Sequence, residues 1–313
     1  MLNSVRLSLL LGSAVFLTAV ARSQTASAYI LIDHTSGHVL ESYKADEKRP
    51  IASLTKIATA KVVLDWAAKT GNDLAQFVVI PPQAFNSGGI NPMGLQPGDE
   101  VSYRDLIYAA LLQSDNTAAN ALAYVVGESL RAYGGAVQEL GPMETFVSQM
   151  NALARQLRME RTLFVNSHGL EPQKGLQPYS TAADVAKLTV YAVSDPGFRF
   201  YVSQRERKVA IHRGGQLLEY LLRNTNELLG NNGVDGVKTG TTAKAGQCIV
   251  LSSQHEPEIK QDGATTLVTP RRVDLVILGS ADRVSAASQL LARAWGLYDQ
   301  WAAAGRPLTE AKR

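Results

Sequence analysis

Three short patterns in this 313-residue chain carry side chains able to build an activated nucleophile. In Ser53-Leu-Thr-Lys56 a hydroxyl and an amine stand three residues apart at the start of a stretch with helical spacing, so both share one face. A serine hydroxyl attacks a carbonyl once a neighbouring base takes its proton. A lysine becomes that base when burial or nearby positive charge lowers its pKa. The N-terminus of the helix adds backbone N–H groups for a developing oxyanion. Alone, Ser-x-x-Lys is weak: it turns up about once by chance in a chain this long, and its plain reading is a serine cap before an exposed lysine.

Ser114-Asp-Asn116 follows the apolar run Ile107 to Leu112 and falls between two expected helices. A turn there aims the Ser114 hydroxyl and the Asn116 amide into a cleft, where Ser114 can pass protons and Asn116 can hold a substrate amide. The competing reading is an ordinary helix cap. Lys238-Thr-Gly240 sits in a strand. Its lysine supplies positive potential for an anionic substrate and depresses the Lys56 pKa. Thr239 can bond a carboxylate, and Gly240 removes a side chain where another backbone or a substrate comes close. The competing reading is an exposed strand lysine before a turn glycine.

Each pattern is modest; their order is not. Ser-x-x-Lys, Ser-x-Asn and Lys-Thr-Gly in sequence form the signature of penicillin-binding proteins and class A β-lactamases. Further segments extend the match: Tyr29-Ile-Leu-Ile-Asp33, Pro50-Ile-Ala-Ser-Leu-Thr-Lys56, Leu112 to Ala118, His168-Gly-Leu170 with Ser180-Thr-Ala182, Asn224-Thr-Asn226 and Val234 to Gly240. Together they resemble the D-alanyl-D-alanine carboxypeptidases, the low-molecular-mass penicillin-binding proteins of the S11 peptidase family, from about Tyr29 to Trp301. The resemblance implies a β-lactamase-like fold and removal of the terminal D-Ala from peptidoglycan stem peptides through an acyl-enzyme on Ser53. β-Lactam antibiotics would then be covalent inhibitors. It also implies an oxyanion hole from the backbone N–H groups of Ser53 and Thr241, and a role for Arg283 in binding the terminal carboxylate.

The elements that must position these residues follow from pattern. Tyr29–Asp33 and His38–Tyr43 read as a hairpin, and a helix runs from Ser53 to about Lys69, with Ile57, Ala60, Leu64 and Ala67 on one face. Helices are expected at Tyr103–Leu112, Thr117–Val126, Glu144–Leu157 and Ala182–Ala192. Strand character returns at 234–240, 247–252 and 273–278, with a polar hairpin excursion over Gln254–Arg271, before a last helix at Arg283–Ala302. Strands at both ends and helices between them give an α+β plan: one antiparallel sheet with flanking helices plus a helical subdomain. The expected catalytic domain is 29–304, its helical insertion about 72–225, and residues 305–313 form a tail.

Composition narrows the functional classes. Apolar residues make up 45% and charged residues 19%, an ordinary globular balance. A net charge of +3 with no long basic run gives nucleic-acid binding no support. The single cysteine, Cys248, excludes an intrachain disulfide. Leu7–Ala21 is apolar and ends in the small-residue site Ala19-Val-Ala21, with Ala26-Ser-Ala28 after it, a signal-peptide pattern with cleavage after Ala21 or as late as 28. The run is shorter than the ~20 residues that span a bilayer. Residues 303–313 are too short and polar to anchor, so an exported, soluble enzyme without a stable membrane anchor is expected. That short form resembles the penicillin-binding endopeptidases, which cut D-Ala cross-links with the same machinery.

Rival chemistries fit less well. No Gly-x-Ser-x-Gly elbow accompanies the five histidines, of which His168 is the best candidate for a triad. His34 and His38 flank a turn without a His-Glu-x-x-His zinc motif. A β-lactamase needs Glu and Asn four residues apart, whereas Glu160 and Asn166 are six apart. A non-catalytic wall-binding scaffold would usually have lost part of the set Ser53, Lys56, Ser114, Asn116 and Lys238. The chemistry calls for no metal or organic cofactor.

Overall fold

The computed structural model describes residues 26–132 and 139–308. The segment read as a signal peptide, 1–21, and the tail beyond 308 lie outside the described residues. Strand β1 (Ala28–Asp33) returns as β2 (Val39–Tyr43), and Asp33 closes the turn by accepting from the Ser36 N–H and hydroxyl at 2.7 and 2.6 Å. A 3₁₀ turn at Ala52–Leu54 leads into helix α1 (Thr55–Thr70), which Gly71 ends in the left-handed conformation at φ 73°.

The middle section is not purely helical. Short strands β3 (Phe77–Val79) and β4 (Glu100–Ser102) precede α2 (Tyr103–Leu112), whose first turn is capped by the Ser102 hydroxyl. Helices α3 (Asn116–Ala132), α4 (Pro142–Gln156), α5 (Ala182–Val193) and α6 (Pro196–Val202) follow. Next comes a hairpin of β5 (Glu206–Arg213) and β6 (Gln216–Arg223). This hairpin and α6 lie where the pattern reads as helical insertion. Leu, Glu, Gln, Lys and Arg dominate the hairpin, and their helix propensity masks it. The legible signal is Gly214-Gly215, both at positive φ, the pair a two-residue hairpin turn favours.

Strands β7 (Val234–Thr242), β8 (Gly246–Asp262) and β9 (Thr265–Ser280) complete the main sheet before α7 (Arg283–Ala303). The polar excursion is the distal part of one continuous β8–β9 hairpin. The five-stranded antiparallel sheet runs β2-β1-β9-β8-β7, so strands from both ends of the chain pair; the second sheet runs β3-β4-β5-β6. The α+β plan thus gains a second, smaller sheet.

Both faces of the main sheet are buried. Leu31, Ile249, Leu251, Leu275 and Ile277 pack on α7 through Leu290, Leu291, Ala294, Trp295 and Tyr298. Their strand neighbours Ile30, Ile32, Val250, Val276 and Leu278 join the larger core on the opposite side. Strand alternation therefore serves two cores, which is why β9 reads as a continuous apolar run. Helix α1 packs against α2, α3, α4, α5 and α6. Twelve of its 16 residues are buried, so the single expected apolar face is in fact nearly the whole helix. The consequence for the site is rigidity: the Ser53 turn and Lys56 stand at the start of a helix packed on nearly every side.

Candidate active site

Lys56 lies at the second position of α1 with no solvent exposure. Its Nζ has three polar neighbours: Ser53 Oγ at 2.9 Å, Asn116 Oδ1 at 2.6 Å and the His168 carbonyl oxygen at 3.1 Å. The last two can only accept. A neutral amine has two N–H bonds and one lone pair, so donating to Asn116 and His168 leaves the lone pair for the Ser53 hydroxyl. Burial, and then the charge of Lys238, hold the Lys56 pKa well below the usual lysine value, while Asp115 opposes the shift. The arrangement can take a proton from Ser53.

The Ser53 turn is held by backbone rather than by side chains. Ala52 adopts φ 49°, a left-handed conformation that costs a residue with a Cβ about 1–2 kcal/mol. Two glycines explain how the turn is clamped. A Cβ on Gly240 would lie 2.9 Å from Ser53 N, and one on Gly169 would lie 1.9 Å from the Ala52 carbonyl oxygen. Strand β7 and the loop after Asn166 can close on the turn because neither carries a side chain there. Gly240 thus sits where the sequence asks for close backbone approach.

Asn116 opens α3, and its N–H donates to the Ile90 carbonyl at 2.9 Å. Its Nδ2 lies against Gly89, where a Cβ would come within 1.8 Å. Asp115 is fully buried and works on structure: its carboxylate accepts from Ala118 N at 2.9 Å and Met93 N at 3.2 Å, and burial raises its pKa. Ser114 stands in the turn between α2 and α3 at φ 63°. Its hydroxyl makes no hydrogen bond with another described residue. In this arrangement the direct link from the middle pattern to Lys56 runs through Asn116.

Lys238 is buried in β7 and donates to the Thr239 carbonyl at 2.9 Å. Burial, then the charge of Arg283, lower its pKa to about 7. Thr239 Oγ1 lies 2.8 Å from Thr225 Oγ1, and the Thr225 N–H donates to the Leu112 carbonyl at the end of α2. Thr225 therefore ties the Lys-Thr-Gly strand to the turn that carries Ser114 and Asn116. Arg283, the first residue of α7, donates to the Thr241 hydroxyl at 2.8 Å. One region thus gathers Ser53, Lys56, Asn116, Lys238, Thr239, Gly240, Thr241 and Arg283 from the Ala52–Leu54 turn, α1, α3, β7 and α7.

Comparison with known proteins gives the family. The D-alanyl-D-alanine carboxypeptidase family matches residues 16–260. The chain belongs to this family. Its sequence is 36% identical over 245 residues to the D-alanyl-D-alanine carboxypeptidase DacC of Escherichia coli, covering 75% of this chain and 55% of that protein. Identity with the D-alanyl-D-alanine endopeptidase of Pseudomonas aeruginosa is 33% over 233 residues, 74% of this chain and 68% of that one. The chain thus spans about half the length of the carboxypeptidase and about two thirds of the endopeptidase. The fold is similar to the Streptomyces K15 DD-transpeptidase, with TM-score 0.72, 26% identity, and coverage of 87% and 97% of the two chains.

In this S11 family member the histidine considered for a triad is unsuited to one. His168 offers Lys56 its main-chain carbonyl, while its ring Nδ1 accepts from Leu170 N at 3.1 Å. Burial and the Lys56 charge push its pKa down to about 3, so the ring is neutral. Sequence reasoning missed the His168 carbonyl, Gly89, Gly169 and the bridging role of Thr225. A main-chain acceptor leaves no side-chain signature; only the runs His168-Gly-Leu170 and Asn224-Thr-Asn226 point to those loops.

Proposed function

We propose that this protein is a serine-type D-alanyl-D-alanine carboxypeptidase that acts on peptidoglycan stem peptides through an acyl-enzyme on Ser53. The observation that carries the reading is the Lys56 amine, buried among two obligate acceptors and the Ser53 hydroxyl. Lys56 takes the Ser53 proton as Oγ bonds to the carbonyl carbon of the penultimate D-Ala. Collapse of the adduct breaks the C–N bond, and the proton passes to the departing amine, with Ser114 as a further carrier. Water then adds to the ester, returning its proton to Ser53 and releasing the shortened peptide as an acid.

The backbone N–H groups of Ser53 and Thr241 are assigned to the developing oxyanion. Supporting this, β7 is an edge of the main sheet, where unpaired backbone groups can meet an extended ligand. Lys238, Thr239 and Arg283 supply positive charge and donors for the terminal carboxylate, and Asn116 Nδ2 an amide donor. A β-lactam ring would be opened by the same attack. Its leaving group stays tethered, which makes the ester long-lived and the drug a covalent inhibitor. A D,D-endopeptidase is the second reading, favoured by the similarity to the Pseudomonas endopeptidase. Both reactions cut after a D-Ala carbonyl and differ in the leaving amine.

The substrate places the enzyme outside the cytoplasm, in keeping with the apolar N-terminal run. Among the described residues no helix is long and apolar enough to cross a membrane.

Incubation with a fluorescent penicillin, mass spectrometry of the labelled peptide, and release of D-Ala from a stem peptide test the reading. We expect an adduct on Ser53, none in Ser53→Ala, and D-Ala release that the same substitution abolishes. An adduct that survives Ser53→Ala would sink the assignment. Ser53 labelling without D-Ala release would favour the endopeptidase reading, and no adduct at all would leave a wall-binding scaffold.

A further inference from the structure

Strand β7 places three chemically different points on one face. Residues 238, 240 and 242 alternate onto the same side of the strand. Gly240 abuts the backbone of Ser53, Lys238 stands two residues before it, and Thr242 two residues after. At a strand rise of about 3.3 Å per residue, each lies about 7 Å from Gly240 along the strand. The Lys238 end is cationic. At the other end the Thr242 Oγ1 donates to Glu171 Oε1 at 2.6 Å, while Lys244, two residues on, donates to Gln177 Oε1 at 3.4 Å rather than to Glu171.

Glu171 is fixed in place by the loop that carries it. Asn166 Oδ1 accepts from His168 N and Gly169 N at 3.2 and 2.7 Å, and its Nδ2 donates to the Leu170 carbonyl at 2.8 Å. Gly169 then presses on the Ala52 carbonyl. The carboxylate is therefore positioned relative to the Ser53 turn from both sides, through the loop and through β7. It is half-buried, and among the described residues it has no cationic partner and no bond to Oε2. A half-buried carboxylate held at one end of a cleft, with free acceptor capacity and no counter-ion, suits a cation brought by the ligand.

We propose that Glu171 is a specificity-determining residue that binds a primary amine on the side chain preceding the D-Ala pair. The proposal rests on the reading above that an extended peptide lies along β7 with its acyl carbon at Ser53. Successive Cα atoms of that peptide are about 3.8 Å apart, so the residue before the scissile D-Ala faces the Thr242 end. An ammonium at the tip of that residue's side chain can then meet the Glu171 carboxylate beside Thr242. The cleft then reads a carboxylate at one end and an amine at the other.

The test compares two tripeptides, Nα-acetyl-L-Lys-D-Ala-D-Ala and its Nα,Nε-diacetyl form, as protectants against labelling of Ser53 by fluorescent penicillin. Protection needs binding only, so it stands apart from turnover; D-Ala release is followed in parallel. For the native protein we expect the free-amine peptide to protect at about fivefold lower concentration, the scale of one partly exposed ion pair. Glu171→Gln should abolish the preference and leave the diacetyl peptide and the penicillin labelling rate unchanged. Equal protection by both peptides in the native protein overturns the proposal. So does a Glu171→Gln variant that weakens both peptides alike, which would mark a purely structural link to Thr242. A preference in protection without D-Ala release supports the role of Glu171 and counts against the carboxypeptidase reading instead.

Discussion

Lys56 and Lys238 are both buried, and the charge of Lys238 adds to burial in holding the Lys56 amine well below the ordinary lysine pKa. Lys56 points at Ser53 and Asn116, while among the described residues Lys238 donates only to its neighbouring Thr239 carbonyl. Burial of two amines beside each other penalises their charged forms, so the catalytic amine gives up its proton more readily.

Asn116→Asp tests the state of the Lys56 amine. The new carboxylate would face Nζ at about the present 2.6 Å and favour the charged form. An opposite charge at that range raises a pKa by about 1–3 units, so Ser53 acylation should slow below the raised pKa and its pH profile should move up by that amount. The loss should recover as pH rises, because the base works only when deprotonated. A rate profile for penicillin labelling against pH reads this directly; an equal loss at every pH would mean that Asn116 acts through orientation alone.

Gly240→Ala tests the clamp on the Ser53 turn. The added Cβ would sit 2.9 Å from Ser53 N, a backbone atom that cannot swing aside as a side chain can. Strand β7 must retreat by a fraction of an ångström, and misplacement on the 1 Å scale costs about 10² in rate. We expect that loss in labelling rate with the circular dichroism spectrum preserved. Native-like labelling would show that the close approach is packing without catalytic consequence.

Stability should rise with pH across the neutral range. In the unfolded chain Lys238 keeps its proton to about its ordinary 10.5, whereas in the fold it is lost near 7. Between those values the unfolded state binds more protons, so raising the pH favours the fold, by about 1.4 kcal/mol per unit for each such group. Lys56 acts in the same direction. Above pH 9 the buried Cys248 thiol opposes it, since its pKa rises from 9.0 to about 11 on folding. Urea unfolding at pH 7, 8 and 9 should show the increase, and Lys238→Met should flatten it. A native protein whose stability is level over that interval would contradict the lowered lysine values.

Much of this fold was readable because local pattern and tertiary role agree. The β1–β2 hairpin, α1, α2, α5 and the strands around Lys238 announce themselves through periodicity, caps and turn glycines, and chain order alone puts Ser53, Lys56, Asn116 and Lys238 in one family signature. The β5–β6 hairpin was hidden because its composition favours helix and only its partner strand decides otherwise. Arg283 came from resemblance, and its bond to the Thr241 hydroxyl appears only once α7 is docked.

What the sequence determined by itself is the inventory of the chemistry: a hydroxyl, an amine one helical turn away, an amide donor and a strand lysine. What only the tertiary structure decided is their protonation and their aim. The amine is lowered because α1 is buried among five other helices and Lys238 is brought alongside it by a sheet that joins both ends of the chain. The lone pair is directed by the His168 carbonyl, a main-chain group 112 residues away. Desolvation and backbone contacts depend on what surrounds an atom, and no spacing along a chain encodes that.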